Sequence, residues 1–151
     1  MLVVGVFVFA IGMALATVMD IREQMVYRYV WLICTAGIFI VYLGAGRAYD
    51  WLHMPWGEPV FFVLLQQFLF ARFYGRADCH AFSVCSGLLF ALGYRIMDYL
   101  IHMLLVFAML LLVQLVKGNV QRNGQLKKPV ALIPYITTAL LIWVDFKMGK
   151  W

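Results

Sequence analysis

Residues 2–19 read LVVGVFVFAIGMALATVM, an uninterrupted apolar stretch that ends at Asp20. A helix rises about 1.5 Å per residue, so this stretch is long enough to cross the apolar core of a bilayer. The rest of the chain has the same character, because 66% of its 151 residues are hydrophobic and only 13% are charged. A soluble domain carries about 25% charged residues. No basic segment precedes the stretch, so we interpret it as a retained span and not as a signal peptide.

Six apolar segments of this kind follow one another along the chain. They are Leu2–Met19, Tyr29–Leu43, Pro59–Phe73, Asp78–Tyr94, Met97–Val116 and Pro129–Val144. Together they predict an all-α, polytopic membrane helix bundle of about six transmembrane helices, formed by residues 1–151 as one domain. Only the first and fifth segments cross a bilayer comfortably. The other four are short and require tilt, local thinning of the bilayer, or a polar cavity.

The basic residues predict the orientation of this bundle. Eight of them fall in the first, third and fifth loops, namely Arg22, Arg28, Arg72, Arg76, Lys117, Arg122, Lys127 and Lys128. The opposite side holds Arg47, Arg95, Lys147 and Lys150. Because cytoplasmic loops carry the excess of lysine and arginine, we expect both termini outside and a multi-pass protein of the cytoplasmic membrane. The net charge of +5 then reflects topology and gives no reason to expect nucleic-acid binding.

Two aspartates stand out among only seven acidic residues. Asp20 ends the first apolar segment and Asp78 opens the fourth, so the predicted topology puts both on the cytoplasmic side. A charged group at membrane depth costs about 2.5–3.5 kcal/mol on insertion scales and is functional by default. Each aspartate also has a structural interpretation: Asp78 as the N-cap of the fourth helix, and Asp20 as a helix-end carboxylate paired with Arg22.

A pair of carboxyl groups is sufficient chemistry for peptide hydrolysis. One ionised carboxylate activates a water molecule, and a second, protonated carboxyl group polarises the carbonyl. Two carboxyl groups that approach closely cannot both ionise, which supplies both protonation states at one pH. The two groups must come from different helices to face one water from opposite sides, and Asp20 and Asp78 meet that requirement.

The residues around the first aspartate resemble a motif of the type IV prepilin peptidase family, the GxGD-type intramembrane aspartyl proteases. In that family an aspartate ends the first helix and is commonly followed by Leu-Arg and then by Ile-Pro-Asn. Residues 20–28 read DIREQMVYR, in which Asp20, Arg22 and Val26 fit. Tyr27 and Arg28 stand in place of the proline and asparagine.

The second family motif, Gly-x-Gly-Asp-x-Lys, aligns with residues 75–80, GRADCH. Gly75 and Asp78 fit this motif, whereas Ala77 replaces a glycine and His80 replaces the lysine. Residues 128–134, KPVALIP, loosely resemble the proline-containing start of the last family helix. The order, side and spacing of the motifs extend the resemblance over nearly the whole chain.

The resemblance implies a membrane aspartyl endopeptidase that removes the short basic leader of prepilin-like membrane proteins at the cytoplasmic face. The site residues that it implies are Asp20 and Asp78 as the catalytic pair, with Gly75, Ala77, His80 and Arg22 lining the site. It implies neither a cofactor nor a metal. Larger family members carry a cysteine-rich cytosolic domain that this chain lacks, so the resemblance is to small, peptidase-only members of tight-adherence pilus systems or to preflagellin peptidases.

Two other functions remain open from the residues. Intramembrane carboxylates also bind protons or cations in small ion-coupled carriers, although no internal repeat supports that class. A non-catalytic accessory subunit of a pilus or secretion system would keep the bundle without the chemistry. Asp98 and Asp145 fall on the outer side in the predicted topology and cannot join the pair.

The remaining polar residues of the apolar segments are expected to have structural roles. We predict that Gln66 and Gln67 join neighbouring helices, that His102 forms a packing hydrogen bond, and that Cys34 is a small buried apolar residue. The spacing of Cys79 and Cys85 fits no zinc site. The polar, basic stretch at residues 117–128 is predicted to be the most mobile segment.

Overall fold

The computed structural model describes residues 1–45, 55–73, 75–119 and 130–148, and within them the chain forms six α-helices and no strand. The helices are α1 (Leu2–Glu23), α2 (Arg28–Gly44), α3 (Gly57–Leu64), α4 (Arg76–Ala91), α5 (Ile96–Val116) and α6 (Ile133–Met148). α3 continues through a π-helical turn, Leu65–Leu69, into a 3-10 turn, Phe70–Arg72. The predicted all-α fold is confirmed for these residues, and each predicted apolar segment overlaps one helix.

Three features of the sequence lie partly outside the described residues. They are most of the loop between α2 and α3, most of the basic stretch at residues 117–128, and the start of the proline-containing motif at residues 128–134. Tyr74, just before the second motif, also lies outside them. The mobility predicted for residues 117–128 therefore stays a prediction.

α1 and α5 are long and apolar enough, by length and composition, to cross a membrane, and α2 is a shorter apolar helix. Their outward faces carry large apolar side chains, for example Phe7 with 66% and Leu104 with 69% of the side chain exposed. Soluble monomers rarely expose large contiguous apolar surface. The surface of these helices is therefore suited to contact with lipid.

α1 and α2 form a tight antiparallel hairpin. α1 ends at Gln24, whose φ of 53° lies in the left-handed region. A Cβ atom on Gly5 would lie 2.6 Å from the backbone nitrogen of Val41, and one on Gly37 would lie 2.6 Å from that of Phe9. Since no side chain fits at those distances, the glycines allow the two helix backbones to touch, as small residues do in membrane helix pairs.

Glutamines join α3 to its neighbours. Gln66 is fully buried in the π-helical turn, and its Nε2 lies 3.3 Å from Sδ of Met103 on α5. Gln67 donates to the hydroxyl of Ser83 on α4 at 3.4 Å. The prediction that both glutamines bridge helices is confirmed.

His102 and Cys34 also behave as predicted. Nε2 of His102 donates to the carbonyl oxygen of Ile136 on α6 at 3.0 Å, and its ring lies edge-on to Phe82. Cys34 is buried between α1 and α2, and all three cysteines are free thiols. These contacts lie in the core, away from the charged residues at the two ends of the bundle.

The helices alternate in direction, so that charged residues gather at two opposite ends. At one end, called here the Asp20–Asp78 end, the last turn of α1 meets the first turn of α6, and the first turn of α4 lies within electrostatic range of them. At the other, called the Asp98–Lys147 end, the first turn of α5 meets the last turn of α6. Asp98 thus lies away from Asp20, as the sequence predicted.

Candidate functional site

Asp20 occupies the last full turn of α1 and is buried, with 7% of its surface exposed. Its Oδ2 accepts a hydrogen bond from the backbone N–H of Ile133 at 3.0 Å, and the N–H of Leu132 also faces this carboxylate. Ile133 is the first residue of α6. The first backbone N–H groups of a helix have no partner inside it and attract anions. Asp20 therefore caps α6 from a different helix, far away in sequence.

A second polar contact joins α1 and α6 one turn further into the bundle. The hydroxyl groups of Thr17 and Thr137 lie 3.3 Å apart. Thr137 donates its own proton to the carbonyl oxygen of Ile133 at 3.0 Å, so Thr17 is the donor in the contact between the two threonines. The two contacts fix the last turns of α1 against the first turns of α6.

Asp78 lies in the first turn of α4, three positions after the N-cap residue Gly75. Its carboxylate turns back and hydrogen-bonds to the backbone amide of Gly75. The prediction that Asp78 itself is the N-cap is therefore wrong. Helix α4 begins three residues earlier, because Gly75 adopts the extended conformation (φ −64°, ψ 156°) that Asp78 was expected to adopt.

Gly75 has a geometric reason to lack a side chain. A Cβ atom at this position would lie 3.3 Å from Oδ2 of Asp78, which is closer than an ordinary van der Waals contact. Its carbonyl oxygen accepts the first α4 hydrogen bond, from the N–H of Cys79 at 3.1 Å. The glycine thus allows the Asp78 carboxylate to approach the backbone of the turn.

Asp20 and Asp78 lie at the same end of the bundle although they are far apart in sequence. The charge of Asp20 acts on the carboxyl group of Asp78, which puts the two groups within electrostatic range of each other. Within the described residues neither forms an ion pair with a lysine, arginine or histidine. Two carboxyl groups without a cation between them favour sharing one proton, which is the charge state needed for acid–base chemistry.

His80 points away from this junction. Residues two positions apart on a helix do not share a face, and the His80 ring lies beside Trp31 of α2, with ring centres 6.0 Å apart. Nδ1 of His80 is 3.4 Å from Nε2 of Gln67. Neither of these contacts involves Asp78. The predicted role of His80 as a site-lining residue stays a prediction.

The two other flanking residues have different surroundings. Ala77 is partly buried and packs against the hydrophobic core. Arg22 is exposed in the last turn of α1 and forms no ion pair with Asp20 in the described part of the chain. The structural interpretation of Asp20 as a partner of Arg22 is thus replaced by its contact with α6. The site-lining roles of Ala77 and Arg22 stay predictions.

The sequence missed the backbone of α6 as part of this site. Pro134 in the first turn of α6 signals a nearby helix start, because proline is tolerated there. Nothing in the sequence says that the free N–H of Ile133 is bound by Asp20. Thr17 and Thr137 were missed for the same reason, since a threonine within an apolar helix usually bonds to its own backbone.

A cleft of about 750 Å³ opens beside the pair at the same end of the bundle. Ile21 and Pro134, the sequence neighbours of the Asp20–Ile133 contact, form one side, and Gln114 and Lys117 of the α5 end form the other. Asp20 and Asp78 do not line this cleft. Within the described residues no group of three or more histidine, cysteine, aspartate or glutamate side chains is arranged to hold a metal ion.

No protein-family model, curated protein or solved structure matches this chain. The geometry of its own residues is therefore the basis for a functional assignment.

Proposed function

We propose that the chain is a polytopic membrane aspartyl endopeptidase, similar to the prepilin peptidases, that cuts the basic leader of a prepilin-like membrane protein. The observation that carries the proposal is that Asp20 and Asp78, from two different helices, lie within electrostatic range of each other, with no ion-pairing cation among the described residues. A carboxylate near the membrane is costly unless it is paired. A reaction that needs two carboxyl groups accounts for a pair of this kind.

The proposed reaction uses one proton shared by the two carboxyl groups. The ionised carboxylate takes a proton from a water molecule, and the resulting hydroxide adds to the carbonyl carbon of the scissile peptide bond. The protonated carboxyl group donates a hydrogen bond to the carbonyl oxygen, on which negative charge develops. When the intermediate collapses, the C–N bond breaks and the amine leaves with a proton returned by the pair.

In this proposal all six helices span the cytoplasmic membrane with both termini outside. The excess of basic residues in the loops at the Asp20–Asp78 end supports the orientation. α4 and α6 have 16 residues each and would span only about 24 Å. Spans this short draw the bilayer thin, so water and the polar leader of a substrate could reach the aspartates from the cytoplasm.

A non-catalytic accessory subunit is the second candidate, and one observation favours it. Asp20 already has a structural task, because its carboxylate caps α6. A decayed enzyme would keep Asp20 for that purpose alone. The two candidates differ in whether the site needs a proton-exchanging group, and this difference can be measured.

The experiment compares asparagine variants in a processing assay. The chain is co-expressed with a candidate prepilin-like substrate, and loss of the leader is followed by mass spectrometry. Asn keeps an oxygen that can accept the N–H of Ile133 or Gly75, so Asp20→Asn and Asp78→Asn preserve capping and remove only acid–base chemistry. We expect both variants to fold and to lose processing.

Asp98→Asn is the matched control. Asp98 occupies the same position in the first turn of α5 that Asp78 occupies in α4, and it also accepts a hydrogen bond from the N-cap backbone, that of Arg95 at 3.0 Å. We expect this variant to process the substrate. If Asp20→Asn and Asp78→Asn trim the leader at the wild-type rate, the peptidase assignment is wrong and the accessory-subunit candidate gains.

A further inference from the structure

α1 and α6 enclose a wedge-shaped cavity on the side of the bundle. It has a volume of about 1030 Å³. Ala10 and Ala14 of α1 form one wall, Leu141 and Val144 of α6 form the other, and Leu88 of α4 lies on the floor. This cavity is called the α1–α6 wedge below. Its size falls at the upper end of the range for small-molecule sites, about 300–1000 Å³.

The wedge is closed at one end and open at the other. α1 and α6 are joined at the Asp20–Asp78 end by the contacts of Asp20 with Ile133 and of Thr17 with Thr137. Thr137 forms the closed end of the lining. The opposite end, called the open end below, is lined by Tyr94, Asp98 and Lys147. The walls are open sideways, since Ala10 and Ala14 are exposed and Leu141 has 63% of its side chain exposed.

Charged groups are found only at the open end of the wedge. Asp98 and Lys147 line it there and form an ion pair of 3.0 Å. Lys147 remains 36% exposed, and an ammonium group has three N–H donors, so it can donate to a further acceptor. The rest of the lining consists of apolar side chains and Thr137, apart from Gly93 and Tyr94 beside the ion pair.

Aromatic rings place the open end at the depth of lipid headgroups. The ammonium of Lys147 lies 5.1 Å from the ring centre of Trp143 and 5.9 Å from that of Tyr94. Tryptophan, tyrosine and lysine gather at the membrane–water interface. A phospholipid has its charged headgroup at the interface and its apolar chains in the bilayer. The wedge has its cation and its apolar walls in the same order.

We propose that the α1–α6 wedge binds one phospholipid of the leaflet at the Asp98–Lys147 end, with an acyl chain between α1 and α6 and the phosphate on Lys147. Lys147 is paired with Asp98, and the N–H donors that its ammonium has left select a phosphate over an uncharged hydrophobic molecule. The inference needs only that the chain resides in a membrane, so it stands apart from the proposed peptidase activity.

Native mass spectrometry of the full-length protein released from mixed vesicles tests the proposal. The vesicles contain dioleoylphosphatidylglycerol and dioleoylglycerol, which differ in the phosphate headgroup. We expect wild-type protein to retain one phosphatidylglycerol, about tenfold in preference to the diacylglycerol, since a charge-assisted hydrogen bond is enough for that ratio. Lys147→Gln should abolish the preference. Equal retention of both lipids by the wild-type protein would overturn the proposal.

A matched pair of substitutions tests the position of the acyl chain. Ala14→Leu fills the wedge, whereas Ala36→Leu makes the same change at an exposed position on α2 that does not line it. We expect Ala14→Leu alone to lower lipid retention, by about tenfold. Unchanged retention in Ala14→Leu, or an equal loss in Ala36→Leu, contradicts the site.

A measurement on the wild-type protein covers the case in which Ala14→Leu does not fold. A phosphatidylglycerol with a diazirine in the middle of one acyl chain is photocrosslinked in vesicles, and the labelled peptides are identified. We expect labels to concentrate on residues 6–14 of α1 and 140–144 of α6. Labels spread evenly over all lipid-facing helices, or absent from these two stretches, would show ordinary bilayer contact and refute a bound lipid.

Discussion

The two ends of the bundle use the same local structure with different electrostatics. At each end an aspartate in the first turn of a helix turns back onto the N-cap amide: Asp78 onto Gly75, and Asp98 onto Arg95. Asp98 then pairs with Lys147 at 3.0 Å. Asp78 instead lies within electrostatic range of a second carboxylate, that of Asp20. Helix capping alone therefore does not distinguish a structural aspartate from a candidate catalytic one, whereas the charge of the nearest partner does.

At the Asp98–Lys147 end the carboxylates of Glu58 and Asp98 each pair with a cation. Glu58 accepts hydrogen bonds from the guanidinium of Arg95, the shortest at 2.6 Å, and from the backbone N–H of Ile96 at 2.9 Å. Glu58 and Asp98 thus each pair with a cation, whereas Asp20 and Asp78 accept hydrogen bonds from different neutral backbone N–H groups. Acidic groups stabilise helix N-termini in both cases, and only Asp20 and Asp78 do so without a neutralising cation among the described residues.

The largest effect on processing is expected from the two aspartates of the Asp20–Asp78 end. Asp20→Asn and Asp78→Asn should each lower leader removal by about 10²–10⁴-fold, the usual contribution of general acid–base catalysis. The double variant should be no slower than either single one, because residues that act as a unit fail together. Single-turnover rates measured by mass spectrometry test this, with Asp98→Asn as the control. Fully multiplicative losses would argue against a shared mechanism.

A smaller effect is expected on stability at the Asp20–Asp78 end. Asp20→Ala removes the acceptor for the N–H of Ile133 and should destabilise the protein by about 0.5–2 kcal/mol, as loss of a helix cap does. Asp20→Asn keeps an acceptor and should be close to wild type. Thermal unfolding in detergent, followed by circular dichroism, compares the two. Equal unfolding midpoints for Asp20→Ala and wild type would mean that the cap contributes nothing.

At the opposite end the stability should depend on acid. The hydrogen bonds from Arg95 and from the backbone of Ile96 lower the pKa of Glu58, which lies ahead of the third apolar segment. A carboxyl group with a lowered pKa stabilises the folded state above its ordinary value of about 4.5 and loses this contribution as the pH falls through the folded-state pKa.

The unfolding midpoints of wild type and Glu58→Gln should therefore differ at neutral pH. They should converge in acid, below the folded-state pKa of Glu58. The difference should be small, because the pair with Arg95 is largely exposed to solvent and surface ion pairs contribute little. A constant difference at all pH values would show that the charge of Glu58 is not responsible.

The smallest effect is expected from His80. Its ring packs beside Trp31 and Gln67 and not beside Asp78, so His80→Ala should change processing by only about twofold, with at most a shift in the pH profile. Initial rates of leader loss across the pH range measure this. A loss as large as that of Asp78→Asn would place His80 in the catalytic machinery and redraw the boundary of the site.

The sequence by itself determined the elements and the two unusual carboxylates. The apolar segments have few polar breaks, and a helix satisfies the backbone hydrogen bonds within each segment itself, which is why each overlaps a helix. The bridging roles of Gln66 and Gln67 and the packing role of His102 followed from the same reasoning, because a polar group within an apolar segment needs a partner on another helix. The exact start of α4 did not follow, because Gly75 and Asp78 are both acceptable at a helix N-terminus.

Only the tertiary structure decided which polar groups meet. The bond from Ile133 to the carboxylate of Asp20 joins residues 113 positions apart, and it depends on how α1 and α6 are rotated about their axes. Close packing at Gly5 and Gly37 fixes α1 against α2, and the α1–α6 wedge is the space left on the other side. Periodicity in a sequence predicts that a helix has faces, but the shapes of all the neighbouring side chains decide which faces touch.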